Sequence, residues 1–272
     1  MGRPIAPILL LLLTGCTTLE EWFGEETVQP AQTRLSEEAL YREAKAKWER
    51  GDYERAIALL REFEARYPFS PKAPEALLDL ARAHAKLGQD EEAEAVLERF
   101  FRLYPVDPRL DEAYFLRGNL RFQRGMGFFK RYLPIDLAKR NMAPFREALE
   151  DFETLLRRFP ESSRAEEARK RVLYLRNLLA WHEYHIADYY FRRGALIAAA
   201  NRASGVIQNY DRTEAVPHAL WLLAQAYEKL ELRELAAKTR AIYRHNFGPS
   251  LPERPEKPST LLSWLFWILR LD

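Results

Sequence analysis

The chain has 272 residues, 47% hydrophobic and 30% charged, with 42 basic against 40 acidic side chains and a formal net charge of +2. That composition belongs to a folded chain, and the near balance of charge excludes a nucleic-acid binder working through bulk electrostatics. A single cysteine excludes an internal disulfide, a four-cysteine zinc site and a CxxC redox pair.

The chain opens MGRPIAPILLLLLTGCTTLEEWF. Arg3 and the amino terminus make a short basic start, and residues 5–13 are apolar apart from Pro7. That run is too short to cross a hydrocarbon core of about 30 Å as a helix, and it has the length of a signal-peptide apolar region. Leu13-Thr14-Gly15-Cys16 resembles the lipobox of bacterial lipoproteins. A diacylglycerol needs a nucleophilic thiol, and the peptidase needs small side chains beside the scissile bond. Residues 1–15 are therefore expected to be a signal peptide, with Cys16 carrying a diacylglycerol and an N-acyl chain. No other cofactor is expected. Two acyl chains suffice for stable anchoring, because each buried CH₂ contributes about 0.8 kcal/mol. Thr17 in place of Asp favours the outer membrane, by resemblance to the enterobacterial sorting rule. Residues 16–35 read as a tether, in which Trp22 and Phe23 suit a membrane surface.

Beyond residue 35 the helical period dominates, and one spacing recurs. Ala44 and Ala81, Gly51 and Gly88, Ala56 and Ala93, and Pro68 and Pro105 are each 37 residues apart. So are Ala187 and Ala224, and Ala199 and Ala236. Each unit reads as a helix, a turn such as Gly51-Asp52, and a second helix ending in Tyr-Pro. The small residues fall where two antiparallel helices must approach, and proline closes the second helix. The pattern resembles the tetratricopeptide repeat. It predicts an all-α fold, an α-solenoid of about five such hairpins over residues 36–248. The units are placed at 37–70, 74–107, 111–160, 164–211 and 217–247, with an insertion at 125–142. Ser163 is the candidate cap of a long helix reaching the turn at Gly194. A proline-rich linker, 249–260, leads to a short apolar helix at 261–271. Eleven residues cannot span a membrane as a helix, so that segment is expected to dock on the bilayer interface, on a partner or back on the solenoid.

Little in the sequence points to catalysis. His182, Glu183 and His185 in WHEYH form HExH rather than HExxH, and no third metal ligand is evident. Gly125-Met126-Gly127 follows no strand, so it is not read as a phosphate loop. No metal site and no catalytic residue are expected. In tetratricopeptide repeats the first helix of each pair lines the concave side. That places Tyr41, Lys45 and Trp48 beside Arg82 and Lys86, a candidate groove for an extended peptide with an aromatic residue and a free carboxylate.

Four stretches are more specific than a generic repeat: RYPFSP (66–71), RFFRLYPVDP (99–108), FFKRYLPIDLAKRN (128–141) and YLRNLLAWHEYHIADYYFRRGALIAAANRASGVIQNY (174–210). With the lipobox and the insertion in the third unit, they resemble the BamD family, lipoproteins of the outer-membrane β-barrel assembly machine. The resemblance implies a non-enzymatic scaffold at the periplasmic face of the outer membrane. It implies binding to the POTRA region of the barrel subunit BamA, alongside other assembly subunits. It also implies recognition of C-terminal targeting signals of unfolded outer-membrane proteins by the first repeats. Within the NRxxG stretch, Asn201 and Arg202 match the family's partner-binding position, where the arginine pairs with a BamA carboxylate. Two alternatives stand beside it. One is another periplasmic repeat lipoprotein, such as a secretin pilotin or a cell-wall synthesis regulator. The other is a metal-dependent hydrolase using His182 and His185.

Overall fold

The structure, a computed structural model, describes residues 35–126, 138 and 141–250. The expected signal peptide, Cys16, the expected tether up to residue 34, most of the insertion and the 261–271 segment lie outside the described residues. Among the described residues ten helices follow one another: α1 (Glu37–Glu49), α2 (Tyr53–Arg66), α3 (Ala73–Lys86), α4 (Asp90–Leu103), α5 (Leu110–Met126), α6 (Ala143–Arg158), α7 (Ala165–Arg192), α8 (Leu196–Asn209), α9 (Val216–Lys229) and α10 (Arg233–Phe247). Among the described residues there is no strand, and helices pack chiefly on their neighbours in sequence. That is the quasi-one-dimensional order of a repeat solenoid.

Local chemistry explains the helix ends. Ser36 and Asp52 accept from the backbone N–H groups of Ala39 and Arg55, at 3.4 and 3.3 Å, capping α1 and α2. Proline in the first turn starts α3, α6 and α9, where its missing N–H costs nothing. Tyr67, Tyr104 and Phe159 close α2, α4 and α6 in one common non-helical geometry, with ψ of 53°, 59° and 63°, just before Pro68, Pro105 and Pro160, where proline disfavours the helical region. Tyr210 adopts nearly the same geometry before Asp211, so the helix end survives loss of the proline.

Two expectations need correction. The α7 helix begins at Ala165 with no side-chain cap, so Ser163 does not cap it. Ser162 shapes that turn instead, accepting from Arg164 N–H at 3.0 Å while donating to Asp111 at 2.5 Å. Ser70 does the same between Lys72 and Glu37. Second, α5 runs on to Met126, so Gly125 is helical and not part of the insertion. The reason is packing: a Cβ on Gly125 would meet the ring of Phe145 at 2.7 Å, so only glycine lets α6 approach.

The small residues at repeat spacing form the contact line between helices. Ala44, Ala56, Ala81, Ala93, Ala148, Ala187, Ala199, Ala224 and Ala236 are all buried. Around them lie three successive apolar clusters, built on Leu40–Phe63–Leu97–Phe100, on Phe145–Phe152–Leu175, and on Ala199–Val206–Leu223. Burying each such leucine or phenylalanine contributes roughly 1.5–3 kcal/mol.

Candidate functional site

The predicted groove residues meet around a carboxylate that sequence reasoning passed over. Asp79 on α3 is buried, 4% exposed. Tyr41 Oη donates to its Oδ2 at 2.8 Å, Lys45 Nζ reaches the same oxygen at 3.1 Å, and Arg82 Nη1 reaches Oδ1 at 2.5 Å. Arg82 also pairs with Glu112 of α5 at 2.5 Å. Burial opposes the charge on Arg82, but Glu112 and Asp79 outweigh it and push the guanidinium pKa up. The Tyr41 hydroxyl is likewise pushed up, by burial and then by Asp79. Lys45 and Arg82 are therefore neutralised from within, and Tyr41, its hydroxyl donated to Asp79, is itself buried. Trp48 is half-buried against Tyr53, ring centroids 5.0 Å apart, and Lys86 is exposed. The groove expectation assumed open aromatic and cationic side chains; of its five residues only Lys86 is freely exposed. The missed signal is the acid in ALLDLARA, three residues before Arg82 and so on the same helix face.

A second cluster joins α4, α5 and α6. Asp151 is 2% exposed and receives Arg117 at 2.6 Å and Arg121 at 3.0 Å. Those arginines continue to Glu98 and Glu94, at 2.5 and 2.6 Å, and Arg124 bridges Glu94 and Glu147. Burial pushes the Asp151 carboxyl up despite the opposing pull of both arginines. This junction is saturated with its own countercharges.

The third cluster contains Arg202. Its Nη1 lies 2.8 Å from Glu183 Oε2, while Arg146 Nη2 lies 3.3 Å from Glu183 Oε1. One carboxylate on α7 thus serves arginines from α6 and α8. Arg202 and Arg146 are 49% and 51% exposed, and Glu183 is 16% exposed. Neighbouring Asn201 is exposed. Burial pushes the Tyr210 hydroxyl up, Glu183 adding to the effect and Arg146 opposing it.

The same stretch places the histidines. His182 Nδ1 donates to the Ala138 carbonyl at 2.6 Å, tying the end of the insertion to α7. His185 lies against the rings of Trp181 and Tyr184, at 6.3 and 6.1 Å. Among the described residues no group of three or more His, Cys, Asp or Glu side chains is placed to hold a metal. No described helix is long and apolar enough to cross a membrane.

A family profile described as "Outer membrane lipoprotein" matches residues 33–242. The chain is 37% identical over 259 residues to "Outer membrane protein assembly factor BamD" of Neisseria meningitidis serogroup B, covering 94% of this chain and 96% of the relative. Its identity to the same-named protein of Pasteurella multocida is 36% over 228 residues, covering 83% and 88%. For that of Vibrio cholerae it is 33% over 239 residues, covering 88% and 95%. Among solved structures, a tetratricopeptide repeat protein from Parabacteroides merdae aligns with a TM-score of 0.39 at 15% identity, covering 79% of this chain and 81% of that one.

Proposed function

The chain belongs to the BamD family of outer-membrane protein assembly factors, and we propose that it works there as a non-enzymatic scaffold. In this reading Cys16 anchors it by its acyl chains to the periplasmic face of the outer membrane. The fourth repeat binds the POTRA region of a BamA-like barrel subunit through Arg202 and Asn201, and other assembly subunits join the complex. The first repeats receive C-terminal targeting signals of unfolded outer-membrane proteins. The observation that carries the partner-binding part is Arg202 itself. It stands half-exposed on α8, held toward solvent by one shared carboxylate.

The groove part is modified by the Asp79 cluster. A substrate carboxylate approaching Lys45 or Arg82 competes with Asp79 and Glu112, whereas Lys86 offers an uncommitted cation. Exchange of one charge partner for another in such a network favours weak, reversible capture over tight binding. The apolar 261–271 segment adds a second candidate contact with membrane or partner.

A mild-detergent pull-down from native membranes, wild type against Arg202→Glu, tests the scaffold reading. A large barrel protein with POTRA domains is expected with wild type and is expected to be lost with the variant. Capture of a secretin or a cell-wall synthase instead would overturn it. Cys16→Ser is expected to move the protein from the membrane to the soluble fraction, and its retention in the membrane fraction would refute the anchor.

A further inference from the structure

Two neighbouring junctions of the solenoid invite comparison. Where α5 lies between α4 and α6, Arg117, Arg121 and Arg124 meet Glu94, Glu98, Glu147 and Asp151. Four carboxylates serve three guanidiniums, and Arg117 and Arg121 are 14% and 16% exposed. Where α7 lies between α6 and α8, Glu183 is the one carboxylate among the described residues that serves both Arg146 and Arg202, and Arg146 also meets the Tyr210 hydroxyl. That cluster sets two guanidiniums against one carboxylate, apart from the neighbouring Arg176 pairs with Glu153 and Asp211, and its two arginines are turned half into solvent. Each guanidinium carries five N–H donors in a planar fork, and Glu183 takes up one from each.

We propose that Arg146 and Arg202 together form a receptor for an acidic side chain of a protein partner, with Glu183 orienting both. The inference rests on the reading that Arg202 is a partner-binding residue and adds Arg146 as the second half of the site. Glu183 keeps the two forks side by side, so the incoming carboxylate meets a pre-arranged pair rather than two independent side chains. Such charge-assisted, bidentate contacts are the strong ones, and Arg is the side chain suited to them. An approaching carboxylate brings the cluster to neutrality, two guanidiniums against two carboxylates.

The test is surface plasmon resonance with the full-length chain in detergent, against the purified POTRA region of the barrel subunit, at low and high salt. Arg146→Ala and Arg202→Ala are each expected to weaken binding by about tenfold. The double variant is expected to lose little beyond either single one, because the two act on one group. Salt dependence is expected to flatten in all three. Wild-type binding by Arg146→Ala alongside weakened Arg202→Ala overturns the paired receptor and leaves the Arg202 reading intact. Wild-type binding by both overturns that reading as well. If Arg146→Ala lowers the unfolding midpoint, Arg146→Lys decides. It keeps the charge beside Glu183 and loses the fork, so weakened binding at an unchanged midpoint supports the receptor, and wild-type binding overturns it. Capture of wild type but not the double variant by anionic phospholipid vesicles makes this a phosphate site and overturns the proposal.

Discussion

Gly118 on α5 lies so close beneath Phe152 on α6 that a Cβ there would stand 2.8 Å from the ring Cζ. Gly118 takes the repeat position held by alanine at 44, 81, 187 and 224, and those alanines are buried without clash because their neighbours leave room for a methyl. Phe152 is fully buried, so its ring cannot swing aside. Gly118→Ala is therefore expected to destabilise by about 1–2 kcal/mol, overpacking outweighing the roughly 1 kcal/mol gain in helix propensity. Urea denaturation reads this directly. Gly118→Ala combined with Phe152→Leu is expected to be less destabilised than the sum of the two single changes.

Asp79 supports a second expectation. Removing it leaves the buried Tyr41 hydroxyl without its acceptor and deprives Lys45 and Arg82 of their shared partner. Asp79→Ala is expected to cost about 2–4 kcal/mol. The figure falls below that for a fully buried pair because Lys45 is more than a third exposed. Tyr41→Phe removes one hydrogen bond and is expected to cost about 1 kcal/mol. Equal losses for the two variants would show that the cations contribute nothing.

The inter-helix turns predict a stabilising change. Gly51, Gly88 and Gly194 sit at φ of 77°, 70° and 78°, where glycine carries no steric penalty. The equivalent turn of the last hairpin places Glu231 there, at φ 59°. Glu231→Gly is expected to raise stability by about 0.5–1 kcal/mol, relief of the left-handed strain exceeding the extra entropy glycine adds to the unfolded chain. An unchanged or lower denaturation midpoint would refute it.

Alkaline pH provides a fourth test. Burial pushes the Tyr174 hydroxyl up to about 12, against a small opposing effect of Arg171. The folded value lies above the unfolded one of about 10, so the folded state holds the proton longer. The stability it contributes is present below pH ~10 and is lost as pH rises toward 12. Tyr174→Phe, which has no proton to lose, is expected to decline less steeply, by about 1 kcal/mol between pH 9 and 11. Parallel curves for the two proteins would show that Tyr174 ionises alike in both states.

Much of the fold was legible in the sequence because its determinants are local and periodic. Alanine and glycine recur at one spacing, turns carry Gly where φ must be positive, and aromatic-proline pairs end the second helices. Each signal acts within a few residues, so it can be read without knowing what packs beside it. Gly125 escaped that logic. Its sequence suggests a break, and only the ring of Phe145 across the interface explains a glycine inside a helix.

The candidate sites divide along the same line. Arg202 could be named from the NRxxG stretch, and Lys45 and Arg82 from the faces of their helices. What each cation pairs with could not. Lys45 reaches Asp79 across 34 residues, Arg146 reaches Glu183 across 37, and Arg117 reaches Asp151 across 34. Helical periodicity says which residues share a face, but not which face of the next unit lies opposite, nor in what register. The stacking of one hairpin on the next sets that register. It decides that Asp79 and Asp151 neutralise their arginines, and that Glu183, shared between two, leaves Arg146 and Arg202 turned outward.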